Sequence, residues 1–341
     1  VSIRTDILGC DKTVTQDYVR KTGPSPKPAS IMALGRRCLP ATGLGALSLL
    51  ATACSPLGIL NGMAPKRLSA RDIPYGSGPR RMLDVYVPDR VDGQAPVVVF
   101  FYGGSWDSGT KSEYRFVGGA LAARGFVTII PDYRLYPEVR FPAFLDDCAA
   151  AFAWACAHAG DYGGGERMFL MGHSAGAYNA AMLALDPSYL ARAGASRPLA
   201  GTVGIAGPYD FLPVGTDELR AIFGQPPTPP VTQPINHVSG HNAPMLLLAG
   251  SSDTTVLPRN TRRLAAKIRA AGGPVQSRIY PGIDHREIIG AMGTPFRFIA
   301  PTFRDSTDFI AATAGTAAAS AGAASTVTAA AAAASARAQA A

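Results

Sequence analysis

A chain of 341 residues, 47% hydrophobic and 16% charged, carries enough apolar side chain for one large core or two smaller ones, which excludes an intrinsically disordered protein. Half of the net charge of +8 lies within the first 37 residues, and no basic run interleaves with aromatics, so nucleic-acid binding is not indicated. Cysteines number five; Cys148 and Cys156 fall on one predicted helix. Their eight-residue spacing puts them about 12 Å apart along its axis, too far for a disulfide and consistent with small core residues.

In chain order, residues 1–31 are polar and lack apolar periodicity, and they read as an upstream extension foreign to the native protein. From Met32 a basic stretch with Arg36 and Arg37 precedes an apolar run over residues 41–53, the layout of a secretory signal. That run is shorter than the roughly 20 residues of an ordinary membrane-spanning helix. Leu50-Ala51-Thr52-Ala53-Cys54 resembles a bacterial lipobox, with Ala51 where leucine is usual. The resemblance implies lipidation of Cys54 and attachment on the periplasmic side of a bacterial cell envelope. An uncleaved hydrophobic anchor is the alternative. Residues 54–65 read as a linker and 66–310 as one folded unit. Residues 311–341 are an Ala-rich low-complexity tail that buries little apolar area against the entropy of ordering it.

Within 66–310, strands are predicted at Met82–Val87, Pro96–Tyr102, Phe126–Ile130, Met168–Met171, Leu199–Ile205, Pro244–Leu248 and Gln276–Tyr280. Helices are predicted at Val117–Arg124, Phe144–His158, Ala177–Leu185 and Thr261–Ala271. Continuous apolar strands alternating with helices give an α/β protein with a mostly parallel sheet and helices on both faces. The proline-rich stretch Asp210–Pro234 interrupts the alternation and is expected to form a small cap segment.

Gly172-His173-Ser174-Ala175-Gly176 follows the Met168–Met171 strand and precedes a helix. This is the strand–turn–helix context of a nucleophile elbow, which exposes a serine on a strained turn. Sites in open α/β sheets form beyond the carboxyl ends of strands. Asp253 follows the Pro244–Leu248 strand and His285 follows Gln276–Tyr280, giving the order Ser…Asp…His. The Ser174 hydroxyl needs an imidazole to take its proton, and the imidazole needs a carboxylate to hold its tautomer. Asp210 and Asp284 compete with Asp253 for that place. His158, His237 and His241 fit less well than His285, and the His173 side chain should leave the elbow in another direction. Gly103 and Gly104, after the Pro96–Tyr102 strand, let backbone amides approach an oxyanion together with the amide of Ala175. A plain Gly-Gly turn is the alternative.

These motifs together resemble the α/β-hydrolase superfamily. The chain looks closest to the esterase/lipase group with a His-Gly-Gly-x-Trp oxyanion segment, which includes feruloyl-esterase-like carboxylesterases and kynurenine formamidases. Tyr102 stands in place of the first histidine, while Gly103, Gly104 and Trp106 match; Pro131-Asp132-Tyr133-Arg134-Leu135 is also similar. The resemblance implies an α/β-hydrolase fold and a serine carboxylic-ester hydrolase working through an acyl-enzyme, without metal or cofactor. Trp106 and Tyr178 are then expected to line the substrate pocket or to pack in the core. Amide or formamide hydrolysis is the second reading, and a non-catalytic envelope lipoprotein the third. The expected partners are a small-molecule ester and, through Cys54, a membrane.

Overall fold

Apolar runs too short for helices and bounded by turns build the centre of this molecule. The computed structural model describes residues 56–91 and 93–315. The expected upstream extension, signal segment and Cys54 lie outside the described residues, as does the tail beyond residue 315. The strands are β1 Leu68–Pro74, β2 Met82–Tyr86, β3 Ala95–Phe101, β4 Val127–Pro131, β5 Gly164–His173, β6 Leu199–Ile205, β7 Met245–Gly250 and β8 Val275–Tyr280. The helices are α1 Pro56–Gly62, α2 Arg115–Ala123, α3 Ala143–His158, α4 Ala175–Leu185, α5 Ser188–Arg192, α6 Asp217–Phe223, α7 Arg259–Ala270 and α8 Glu287–Gly290, followed by α9 over 302–315.

Among the described residues one sheet forms, in the order β1-β2-β4-β3-β5-β6-β7-β8. The β1–β2 and β2–β4 pairs are antiparallel and every other pair is parallel. Val-, Ile- and Leu-rich β4 and β7 are buried along their whole length, as strands covered on both faces must be. Edge strand β8 instead alternates between more and less buried positions.

The chain passes from β3 to β4 in one direction and from β4 to β5, β6, β7 and β8 in the other. Right-handed crossovers therefore put α2 on one face and α3, α4 and α7 on the opposite one. Helix α4, rich in Ala, is buried throughout because its small side chains allow close packing on β5 and β6. Helix α7 is amphipathic, with Leu264, Ala265 and Ile268 buried and Arg262, Arg263 and Lys267 in solvent. Cys148 and Cys156 are buried free thiols on α3.

The folded unit is wider than 66–310. The stretch expected as a linker contains α1, whose Leu60 is buried in the main core. Asn61 accepts from the amide of Phe116 and donates to the carbonyls of Ser112 and Glu113, capping the start of α2. At the other end α9 continues to residue 315. The short α1 and the bulged, half-exposed β1 carry no clear period, which is why pattern alone passes over them.

Candidate active site

The reversal of strand order at β3 and β4 opens a crevice at the carboxyl ends of the central strands. Parallel register pairs Phe101 with Gly172 and Gly172 with Gly204, so the segments after β3, β5 and β6 emerge at one level. Ser174 sits in the turn between β5 and α4 with φ 54° and ψ −122°, a conformation costly for a residue with a side chain. Two glycines make room for that turn. A Cβ at Gly172 would lie 2.2 Å from the carbonyl oxygen of Gly176, and one at Gly176 would lie 2.0 Å from that of Phe101. The amide of Ser174 donates to the carbonyl of Ile205 at 2.9 Å, fixing the elbow to β6.

Ser174 Oγ lies 2.9 Å from His285 Nε2, and His285 Nδ1 lies 2.7 Å from Asp253 Oδ2. An ionised carboxylate only accepts, so Nδ1 carries the proton and Nε2 is left to accept from the serine hydroxyl. Asp253 is buried, and its Oδ1 accepts from the amides of Thr255 (2.9 Å) and Val256 (2.7 Å). The competing carboxylates are engaged elsewhere. Asp210 pairs with Arg263 at 2.9 Å, and Asp284 accepts from the amides of Arg286 and Glu287 ahead of α8.

The glycine segment after β3 divides its labour differently from the expectation. The Gly103 amide points at the buried Tyr114 hydroxyl, donating at 3.3 Å, so it is not available to an oxyanion. Gly103 is needed there for space, because a Cβ would lie 2.9 Å from that of Ser174. Gly104 has φ +133°, and a side chain there would strike the Ser108 carbonyl. Among the described residues no protein acceptor meets the amides of Gly104, Ser105 or Ala175, and Ser105 lines the same cavity as Ser174 and Ala175. Ser105 has φ 50°, a backbone turn that no sequence pattern announces.

His173 does leave the elbow in another direction. Its ring lies beneath the site, with Nδ1 3.2 Å from the Tyr114 hydroxyl and Nε2 3.2 Å from the carbonyl of His285. Tyr114 takes the Gly103 amide and so donates its own proton to Nδ1, which leaves Nε2–H to donate to His285. Burial first, and the neighbouring His285 second, hold His173 well below the usual histidine range, so it stays neutral. This chain of bonds links the glycine segment to the loop that carries His285.

Other residues that support the site were legible only as motif fragments. Tyr102 is buried, its ring stacked on Tyr133 at 4.7 Å and its hydroxyl accepting from Arg80 at 2.8 Å. Tyr133 donates to the Tyr102 carbonyl at 2.8 Å, and Arg134 forks onto the buried Asp147. The Asp132-Tyr133-Arg134 segment thus clamps the end of β3.

A cavity of about 260 Å³ opens beside Ser174. Trp106 lines it, held by a bond from its Nε1 to Asn179 Oδ1 at 3.0 Å. Tyr178 does not reach the cavity. It is fully buried behind Trp106, edge-on at 5.0 Å, with its hydroxyl donating to the Thr232 carbonyl at 2.6 Å. Tyr178 therefore belongs to the packing that ties α4 to the cap segment. Phe211 and Leu219 from that segment line the cavity together with Thr255, Val256 and Leu257.

The sheet order and the serine elbow define an α/β-hydrolase. The chain matches the BD-FAE family model over residues 83–268, more than half its length, and it belongs to that family. It is 32% identical over 238 residues to esterase LipC of Mycobacterium tuberculosis, covering 63% of this chain and 59% of that protein. It is 26% identical to a probable isoprenylcysteine alpha-carbonyl methylesterase of Arabidopsis thaliana, covering 64% of this chain and 51% of the other. A kynurenine formamidase of Drosophila melanogaster is 24% identical, with 63% and 74% covered. The chain spans between about half and three-fifths of the first two relatives. Among solved structures, esterase B from Lactobacillus rhamnosis superposes with a TM-score of 0.68 at 16% identity, covering 80% of this chain and 95% of that one. A truncated carbohydrate esterase from gut microbiota gives 0.63 at 20% identity, with 74% and 99% covered.

Proposed function

We propose that this protein is a serine carboxylic-ester hydrolase working through an acyl-enzyme. The observation that carries the reading is the unbroken Ser174–His285–Asp253 relay opening onto the cavity. Ser174 Oγ attacks the ester carbonyl while His285 Nε2 takes its proton. Asp253 keeps the proton on Nδ1 and stabilises the imidazolium that results. The amides of Ala175, Gly104 and Ser105, which meet no protein acceptor among the described residues, receive the oxyanion. His285 then protonates the leaving alcohol. A water, deprotonated by the same imidazole, releases the acid and restores Ser174. Esterase relatives, one of them 32% identical over 238 residues, support the reaction class.

The same machinery can cleave a formamide, and the likeness to kynurenine formamidases gives that second reading its support. A panel of p-nitrophenyl esters of increasing chain length, run beside N-formylkynurenine, separates the two. A fluorophosphonate probe should label the protein at Ser174. No labelling and no turnover of any ester would leave the third reading, a binding protein with a hydrolase fold.

The second part of the proposal concerns Cys54. The basic stretch, the apolar run and the lipobox-like Leu50–Cys54 support lipidation and attachment to a bacterial envelope membrane from the periplasmic side. In the full chain, Cys54→Ser should lose labelling by a fatty-acid analogue; unchanged labelling overturns the anchor.

A further inference from the structure

The geometry points to Arg259 as an anion-binding group at the mouth of the Ser174 cavity, making esters that carry a carboxylate the preferred substrates. This rests on the ester-hydrolase reading and narrows it. Arg259 is the first residue of α7 and lines the same cavity as Ser174, Ala175 and Trp106. It is the one ionisable side chain in that lining; the rest is apolar or neutral.

Nearby carboxylates are already engaged. Asp210 holds Arg263 at 2.9 Å and Asp217 holds Arg220 at 2.5 Å, while the buried Asp253 accepts from His285 Nδ1 at 2.7 Å and from two backbone amides and does not line the cavity. Glu218, beside Leu219, does not line the cavity. Among the described residues Arg259 has no ion-pair partner, and its side chain is exposed to incoming solute. A cavity with one cation and no anion draws negative charge toward it.

The start of α7 is also held in place. Asn260 is buried, accepts from the amides of Tyr209 and Asp210, and donates to the carbonyl of Leu257. The Arg259 stem therefore leaves from a fixed point beside the cavity. A guanidinium presents two parallel donors to a carboxylate, which adds direction to the attraction. Neutral esters leave the same guanidinium hydrated, so they remain substrates and the effect is a preference.

The test compares kcat/KM for two matched ester pairs in wild type and Arg259→Gln. On the acyl side, the mono-4-nitrophenyl ester of glutaric acid is set against 4-nitrophenyl valerate. On the alcohol side, 4-acetoxybenzoate is set against phenyl acetate. In at least one pair the anionic-to-neutral ratio should fall by roughly fivefold to tenfold in Arg259→Gln, mostly through KM. High salt should lower the wild-type ratio in the same pair, because an exposed cation is screened within about 10 Å at 0.1 M. Ratios that stay within about twofold of wild type in both pairs overturn the anion subsite while leaving ester hydrolysis intact. A wild-type protein that turns over none of the four esters overturns the hydrolase reading and the subsite with it.

Discussion

Asp253 shows how much a single atom decides at the residue scale. Its Oδ1 accepts two backbone amides, so in Asp253→Asn the carbonyl oxygen should take that place and turn the NH2 toward His285. Nδ1 would then have to accept, the proton would move to Nε2, and Ser174 would lose its base. Turnover should fall by about 10⁴-fold with KM little changed. Asp210→Asn, which loses only its pair with Arg263, should keep most of the activity. Ser174→Ala should lower kcat by on the order of 10⁶-fold, with the far-UV spectrum unchanged. Steady-state kinetics on a p-nitrophenyl ester checks all three.

His173 gives a pH prediction. Its folded-state affinity for protons is depressed by burial. Below the ordinary histidine value of 6.5 the unfolded chain binds a proton that the folded protein does not, so stability falls as pH falls. The slope is about 1.4 kcal/mol per pH unit once the unfolded histidine is protonated. Replacing His173 with Gln should remove this part of the slope. Denaturant unfolding at pH 7.5 and 5.5 measures it, and equal pH slopes in the two proteins would refute it.

At the scale of elements, β3 to β7 and α2 to α4 follow from apolar runs, small-residue stretches and glycine stops, because burial on both faces leaves a strong pattern, while edge strand β8 follows from its alternation. The sequence-level reading of Ser174, Asp253 and His285 rests on strand ends, and the folded chain brings those three side chains within hydrogen-bonding distance. The motif alone points to Gly103 as an oxyanion donor, because it does not say which amide turns inward. The Tyr114 hydroxyl decides that, and it arrives from a different element. The sequence leaves Tyr178 between pocket and core, and its burial and its bond to Thr232 on the cap segment put it in the core. Contacts between distant segments leave no period in either partner. One of them, Tyr133 to the Tyr102 carbonyl, can be tested alone. Tyr133→Phe should cost about 1–2 kcal/mol in unfolding free energy, since a buried carbonyl loses its donor. It should also lower kcat more than it raises KM, by loosening the segment that holds Gly104 and Ser105. An unchanged kcat would separate the clamp from the chemistry.

At the scale of the whole molecule, α1 belongs to the stable unit. A chain starting at residue 64 loses buried Leu60 and the Asn61 bonds that cap α2. Relative to a chain starting at residue 56 it should be less stable by about 2–4 kcal/mol, from one core leucine and one cap. Thermal unfolding of the two compares them directly, and equal midpoints would show that α1 is dispensable.

Ser174 and His285 are separated by 111 residues, and Asp253 and His285 by 32, so the pair proposed to activate the serine can meet it only when the chain is mostly made. On a ribosome the serine emerges long before its base. Until β8 docks and the loop after it swings into register, the hydroxyl is no more reactive than any other serine. On the proposed mechanism, a growing chain is therefore chemically silent toward esters. Fluorophosphonate labelling of nascent chains arrested at increasing lengths should switch on only after residue 285 has cleared the exit tunnel.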